Sequence, residues 1–226
     1  MSWILRVPAV VSKELLIEWR ERSRVSSLLF YSFALLLMVA FAMPDVRMLG
    51  DIAGGALWLG LLLASTRSLD QSFRVELEND SLEGMVLWPV DPLAIFYGKA
   101  LANAFVLILV ASVITPLLGV LYHPSWHGQP WALAAVIVLG CAGIAGPGTL
   151  VASLTAQARG SSALLPVLLF PLVVPVVMAS ARTTILLFQG DPMGQVDNWL
   201  VLLLIFNVVH WSLDGLLFAR VVEEAG

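Results

Sequence analysis

Long apolar stretches alternate with short polar ones along this chain, and most of the apolar stretches have the length of a bilayer-crossing helix. A spanning helix needs roughly 20 predominantly apolar residues. Six stretches qualify or come close: Val25–Met43, Ile52–Thr66, Ala100–Tyr122, Trp131–Thr155, Ala163–Ala181 and Trp199–Ala219. The second is short and is expected to borrow residues from its flanks. None alternates apolar with polar residues as the strands of a membrane barrel do, so each is read as a helix. The pattern predicts an all-α polytopic membrane protein with six transmembrane helices, forming a single transmembrane domain over residues 1–226.

Two further segments follow from the pattern. Residues 1–24 carry Ile4, Val7, Val11, Leu15 and Trp19 at helical spacing, with Arg6, Lys13, Arg20 and Arg22 elsewhere on the helix. That is the signature of an amphipathic helix lying in the membrane interface, its apolar face towards lipid. The polar segment 67–99 holds nine charged residues in a chain that is only 12% charged. Within it, Asp70 to Glu78 extends the second span and Asn79-Asp80 interrupts it. Asp80 and Glu83 then have capping-box spacing for a short helix, Ser81–Leu87, which places Leu82, Met85 and Val86 on one apolar face. Pro89 ends that helix. Asp91-Pro92 starts another, with Asp91 as cap and Pro92 in the first helical position, running into the third span. A short amphipathic helix held crosswise is shaped to dock into a groove on another protein.

Composition supports lipid as the solvent for much of the surface: 59% of the residues are hydrophobic and the mean hydropathy is +0.91. The basic residues set the orientation. With six spans, Arg6, Lys13, Arg20, Arg22, Arg24, Arg67, Arg74, Lys99, Arg159 and Arg220 fall on one side, and Arg47 and Arg182 on the other. Both termini and the 67–99 segment are therefore expected in the cytoplasm. The first apolar run begins only at Val25 after a charged stretch, so no cleavable signal peptide is expected. The one cysteine, Cys141, falls inside a span, which leaves disulfides out of the design.

Glycine and proline mark two spans. Gly140, Gly143 and Gly146-Pro147-Gly148 predict a broken fourth span, and Pro166, Pro171 and Pro175 a kinked fifth. Broken helices at membrane depth line cavities or moving parts in transporters, which makes Gly146, Pro147, Gly148, Pro166, Pro171 and Pro175 transport-path candidates. The alternative is static packing.

Catalytic chemistry finds little support. The Gly98-Lys99 pair lacks the glycine and the Ser or Thr of a phosphate-binding loop, having Leu93 and Ala100 at those positions, so ATP hydrolysis by this chain is not expected. No zinc-protease or paired-cysteine pattern occurs. An intramembrane serine protease needs a serine beside a base and oxyanion donors. Ser112 and Ser153 lie in plain apolar contexts, and no Gly-x-Ser-Gly is present in any span. His210 and Asp214, four apart in the sixth span, share a helix face and are candidates because they ionise inside a membrane. Asp214 is expected near the watered end. His123 and His127 flank Trp126 in a short external loop and are read as surface residues.

The polar segment carries a family resemblance. Glu76, Asp80-Ser81-Leu82-Glu83 and Pro89 resemble the E-x-x-x-G-[ST]-L-E-x-x-x-x-x-P pattern in the first cytoplasmic loop of many ABC exporter permeases. Leu87-Trp88-Pro89, Pro92, Lys99, Gly146-Pro147-Gly148, Arg159-Gly160 and the proline-spaced run Leu164–Val177 extend the likeness to the CcmB family, the membrane subunit of the haem exporter of cytochrome c maturation. It covers most of residues 67–180. Asp80 stands where that family has glycine. The resemblance implies a non-enzymatic permease in the bacterial inner membrane, working as a homodimer with a CcmA-like ATPase subunit. CcmC-like and CcmD-like membrane subunits and a CcmE-like haem chaperone complete the implied set. It further implies that Ser81–Leu87 is the coupling helix seated on the ATPase through Glu76, Asp80, Ser81, Leu82, Glu83, Met85, Val86 and Pro89. Haem is the implied cargo, and its ligation is attributed to a partner with a Trp-rich external motif that this chain lacks. A permease for a lipid or polysaccharide is the alternative within transport.

Overall fold

The computed structural model describes residues 6–20, 23–45, 48–78, 91–157 and 164–225. Among them helices are the only regular secondary structure: α1 (Val7–Arg20), α2 (Ser23–Ala42), α3 (Leu49–Glu78), α4 (Pro92–Tyr122), α5 (Pro130–Gln157), α6 (Leu164–Gln189) and α7 (Val196–Ala225). Helices α2 to α7 each contain a stretch long and apolar enough to cross a membrane, six among the described residues. The second span borrows residues from both flanks, as expected. Its apolar window runs Leu49–Ser72, because the helix continues through Asp70 to Glu78 as the charged extension read from the sequence.

The start of α4 forms as its sequence dictates. Asp91 Oδ1 accepts from the Leu93 amide at 3.0 Å, Pro92 occupies the first turn, and the helix continues unbroken into the span. Its other end is closed by His123 in the left-handed region (φ 45°, ψ 45°), whose amide donates to the Gly119 carbonyl at 3.2 Å.

Helix α5 is the hub. It packs against α3, α4, α6 and α7, and 72% of its apolar window is buried against 17% for α2. The break expected at Gly146-Pro147-Gly148 does not occur: α5 is continuous from Pro130 to Gln157 with Pro147 inside it. The glycines serve contact instead. A Cβ on Gly140 would lie 2.2 Å from the Trp58 ring of α3, and one on Gly148 2.5 Å from Leu69. A Cβ on Gly143 would meet Val176 of α6 at 2.8 Å, and one on Gly146 the Trp211 indole of α7 at 3.0 Å. Small residues let helix backbones approach closely, the main source of packing energy where lipid is the solvent. Pro147 has no N–H to give the Gly143 carbonyl; beside that carbonyl, Trp211 Nε1 of α7 donates to the Ala142 carbonyl at 3.1 Å and ties α7 to α5. Asn207 Nδ2 likewise reaches the Leu139 carbonyl at 2.9 Å.

Helix α6 is also continuous. Pro171 and Pro175 lie inside it, and Pro166 sits in its first turn, where backbone donors have no helical partner in any case.

Helix α1 departs from the expected arrangement. Val7, Val11 and Leu15 are half-buried rather than presented to lipid, because α1 packs along α4. A Cβ on Gly98 would lie 2.4 Å from Val10 Cγ1, so the contact depends on that glycine. Among the described side chains of α1, the large apolar ones left exposed are Leu16 and Ile17. The same packing brings Glu14 and Glu18 to cations of the bundle.

Candidate functional site

Glu14 and Glu18, one turn apart on α1, meet two cations of the bundle. Lys99 of α4, 1% exposed, brings its Nζ to 3.3 Å from Glu14 Oε1 and to 3.3 Å from the Ser72 carbonyl of α3. Arg24, at the start of α2, spends its guanidinium on three helices. Its Nη1 donates to Glu18 Oε2 at 2.8 Å, Nε to Ser68 Oγ of α3 at 2.6 Å, and Nη2 to Asn103 Oδ1 of α4 at 2.6 Å. Asn103 Nδ2 passes the chain on to Thr149 Oγ1 of α5 at 3.0 Å, which bonds back to the Ala145 carbonyl. One buried polar network thus ties α1, α2, α3, α4 and α5 together.

Its position gives it functional interest. Ser68 and Ser72 lie on the stretch of α3 leading to the 79–91 connection, and Lys99 and Asn103 lie on the first turns of α4 leading away from it. Any displacement of that connection must pass through these two stems. A buried cation costs several kcal/mol unless paired and hydrogen-bonded, and inside a membrane such groups are kept for function or for fixing one arrangement. The network is therefore suited to holding the stems and α1 as one unit.

The docking residues read from the sequence are largely out of view. Asp80, Ser81, Leu82, Glu83, Met85, Val86 and Pro89, with the predicted helix Ser81–Leu87, lie outside the described residues. Glu76 lies in the last turns of α3. Gly146, Pro147 and Gly148 are brought together at the α5–α7 and α5–α3 contacts, whereas Pro166, Pro171 and Pro175 are spread along α6.

His210 and Asp214 do share a face of α7, with Nδ1 and Oδ1 3.6 Å apart. Asp214 is not at a watered position as expected. It is 3% exposed, because α7 packs against α4, α5 and α6. Phe206 stacks on the His210 ring at 4.0 Å, and Tyr97 donates to the Trp211 carbonyl at 3.1 Å. The serine candidates point away from catalysis: Ser112 and Ser153 donate into their own helix, to the carbonyls of Ile108 at 2.7 Å and Leu150 at 2.6 Å.

At the opposite end of the bundle, Asp191 closes the α6–α7 loop. Its Oδ1 accepts from the Gln195 amide and its Oδ2 from the Val196 amide, both at 2.8 Å. These bonds, Val196 first, hold the carboxyl below its ordinary value.

Sequence reading missed the network. The available signal was the pair of glutamates four apart on α1, together with Asn103 and Thr149 inside otherwise apolar spans; the partners come from five helices and no spacing reveals them.

Comparison with known proteins covers nearly the whole chain. The family model described as CcmB protein matches residues 5–224. A "Heme exporter protein B" of Rhodobacter capsulatus is 32% identical over 175 residues, covering 77% of this chain and 80% of the relative. The protein of that name from Paracoccus denitrificans is 33% identical over 139 residues, 62% of this chain and 63% of the relative. That from Haemophilus influenzae is 29% identical over 176 residues, 75% and 76% respectively.

Proposed function

The chain belongs to the CcmB protein family, and from that premise we propose that it is the membrane permease subunit of an ABC exporter acting in haem delivery for c-type cytochrome assembly. The observation that carries this reading is the family match across residues 5–224, and the relatives' name, "Heme exporter protein B", supplies the cargo. The six apolar helices agree with a multi-pass membrane protein.

The finer assignments follow from the charge pattern and the motif. The protein sits in the bacterial inner membrane with both termini and the 79–91 connection in the cytoplasm. A separate ATPase subunit docks on Ser81–Leu87, with Glu83 and the apolar face of Leu82, Met85 and Val86 as the contact. Two copies of the permease face two ATPase subunits, and further membrane subunits and a periplasmic haem chaperone receive the result. ATP is hydrolysed by the partner, and its closure pushes the connection.

The mechanism at this end of the molecule is positional. A push on the 79–91 connection loads the ends of α3 and α4 together. Because Arg24 binds Ser68 and Asn103 at once, and Lys99 binds Ser72 and Glu14, the stems move with α1 and α2 rather than shearing past them. Asn103–Thr149 hands the displacement to α5, which touches α3, α4, α6 and α7.

The test is co-purification of the membrane protein with its affinity-tagged ATPase partner. The unaltered chain is expected to be retained, and Glu83→Arg or Leu82→Arg to be lost from the complex while still inserting in the membrane. Retention of both variants at the unaltered level would overturn the docking assignment.

A further inference from the structure

Asn207, His210 and Asp214 recur at three- and four-residue spacing on α7 and so share one face of that helix. Each carries one buried atom with no hydrogen-bond partner among the described residues: Asn207 Oδ1, His210 Nδ1 and Asp214 Oδ2. The donor end of Asn207 is already spent, Nδ2 reaching the Leu139 and Leu203 carbonyls. Asp214 Oδ1 stands 3.6 Å from His210 Nδ1, just too far for a hydrogen bond. The cluster is thus rich in acceptors and short of a hydrogen to place between them.

The packing elements bring Asp214 little positive charge. Among the described residues, the ion pair drawn to it is the one with His210. Helix α5 has no Asp, Glu, Lys, Arg or His between Pro130 and Gln157. Helix α6 has one such residue, Arg182, which is exposed towards the opposite end of the bundle. Helix α4 brings Tyr97, whose hydroxyl donates to the Trp211 carbonyl at 3.1 Å and would lie 2.7 Å from a Cβ on Gly215. Lys99 of the same helix is turned to Glu14 and Ser72. On α7 itself Asp197 and Arg220 are exposed, and Glu223 and Glu224 lie past the apolar window that ends at Val221.

These surroundings select the ligand. Asp214 lies seven residues inside the Val221 end of the span, a depth of about 10 Å along the helix. An ionised carboxylate buried there without a hydrogen-bonded partner is costly. A water would bond to it and leave the charge in place. A metal ion would need more donors, and no group of three or more His, Cys, Asp and Glu able to hold one occurs among the described residues. A proton removes the charge and supplies the missing hydrogen together.

We propose that His210 and Asp214 form a proton-binding site within the membrane. One proton, taken from water, rests on Asp214 Oδ1 and is donated as a hydrogen bond to His210 Nδ1, whose ring keeps its own hydrogen on Nε2. The pair then carries no net charge. Tyr97, on the first turns of α4, covers the site from the stem that leaves the 79–91 connection, so movement of that stem admits water and releases the proton. The site rests on this geometry and not on the identity of any cargo.

The experiment is an infrared pH titration of the purified chain in detergent. At neutral pH the unaltered chain is expected to show the carbonyl band of a protonated carboxylic acid, and Asp214→Asn to lose it. Aspartate labelled with carbon-13 in its side-chain carboxyl should shift the same band in the unaltered chain, which assigns it to an aspartate without any substitution. His210→Phe should keep the acid and move its frequency, because the acceptor is gone. Tyr97→Ala should move the loss of the band to lower pH, because water reaches the carboxyl. Absence of the band at neutral pH, its survival in Asp214→Asn, or no shift with the label overturns the site. An unmoved frequency in His210→Phe overturns the sharing with His210, and an unmoved titration in Tyr97→Ala overturns the cover.

Discussion

Lys99 of α4 and Glu14 of α1 meet at 3.3 Å with the lysine 1% exposed, a charge pair sealed between a peripheral helix and the bundle. Together with the Arg24–Glu18 pair and the Val10–Gly98 contact, it makes α1 part of the bundle rather than a loose interfacial anchor. Glu14→Gln removes the Glu14 charge beside the buried Lys99 and is expected to cost up to about 3–5 kcal/mol. Glu14→Gln combined with Lys99→Met should recover most of that loss. Thermal unfolding of the four proteins of this cycle in detergent measures the coupling; strictly additive losses would deny it.

Glycines of the hub differ predictably from glycines elsewhere. Gly140→Ala must fit a Cβ 2.2 Å from Trp58, and Trp58 is itself held by a 3.0 Å bond from Nε1 to Thr184 Oγ1. The expected loss is about 1–3 kcal/mol from overpacking. Gly119→Ala meets nothing within 4 Å and is expected to stabilise α4 by about 0.4–1 kcal/mol. Unfolding midpoints of the two variants should move in opposite directions.

Trp211 is expected to matter through its N–H as well as its bulk. Trp211→Phe removes the donor to the Ala142 carbonyl and should cost about 0.5–1.5 kcal/mol. Trp211→Ala adds the loss of packing against Gly146 and should cost about 3–5 kcal/mol. If Trp211→Phe were as stable as the unaltered protein, the bond to the Ala142 carbonyl would have no stabilising role.

The Asp191 loop is the part of the molecule with a defined acid response. The folded carboxyl titrates below its ordinary value because the Val196 and Gln195 amides bind the ionised form. A depressed carboxylate contributes stability above its unfolded value of about 3.9, and that contribution is lost as the pH falls through the lower folded value. Hydrogen exchange should therefore show the Gln195 and Val196 amides protected above about pH 4 and progressively less so below it. Asp191→Asn should remove the pH dependence.

Much of the architecture was legible in the sequence because membrane helices announce themselves by length and hydropathy. The Asp91-Pro92 start and the charged extension of α3 were readable from local chemistry alone. The state of Pro147 was not. Its local effect is to break a helix, yet α5 runs through it unbroken while packed on four neighbouring helices. The inward turn of α1 was hidden for the same reason: amphipathicity gives a face but not the neighbour, and here the neighbour is Gly98 and the two cations behind it. The docking residues around Ser81–Leu87 lie outside the described residues. The motif around Ser81–Leu87 is a sequence pattern, whereas the network supporting its two stems is assembled from distant side chains.

The central claim is that ATP turnover in a partner reaches this chain through the 79–91 connection and ends in haem delivery. The direct measurement is c-type cytochrome assembled in cells lacking their own copy of the gene, complemented with the unaltered chain or with Glu83→Arg, both present at equal level in the membrane. The account predicts cytochrome c assembly with the unaltered chain, and assembly lost with Glu83→Arg. Equal cytochrome c assembly with the two chains, or none with the unaltered one, would contradict it.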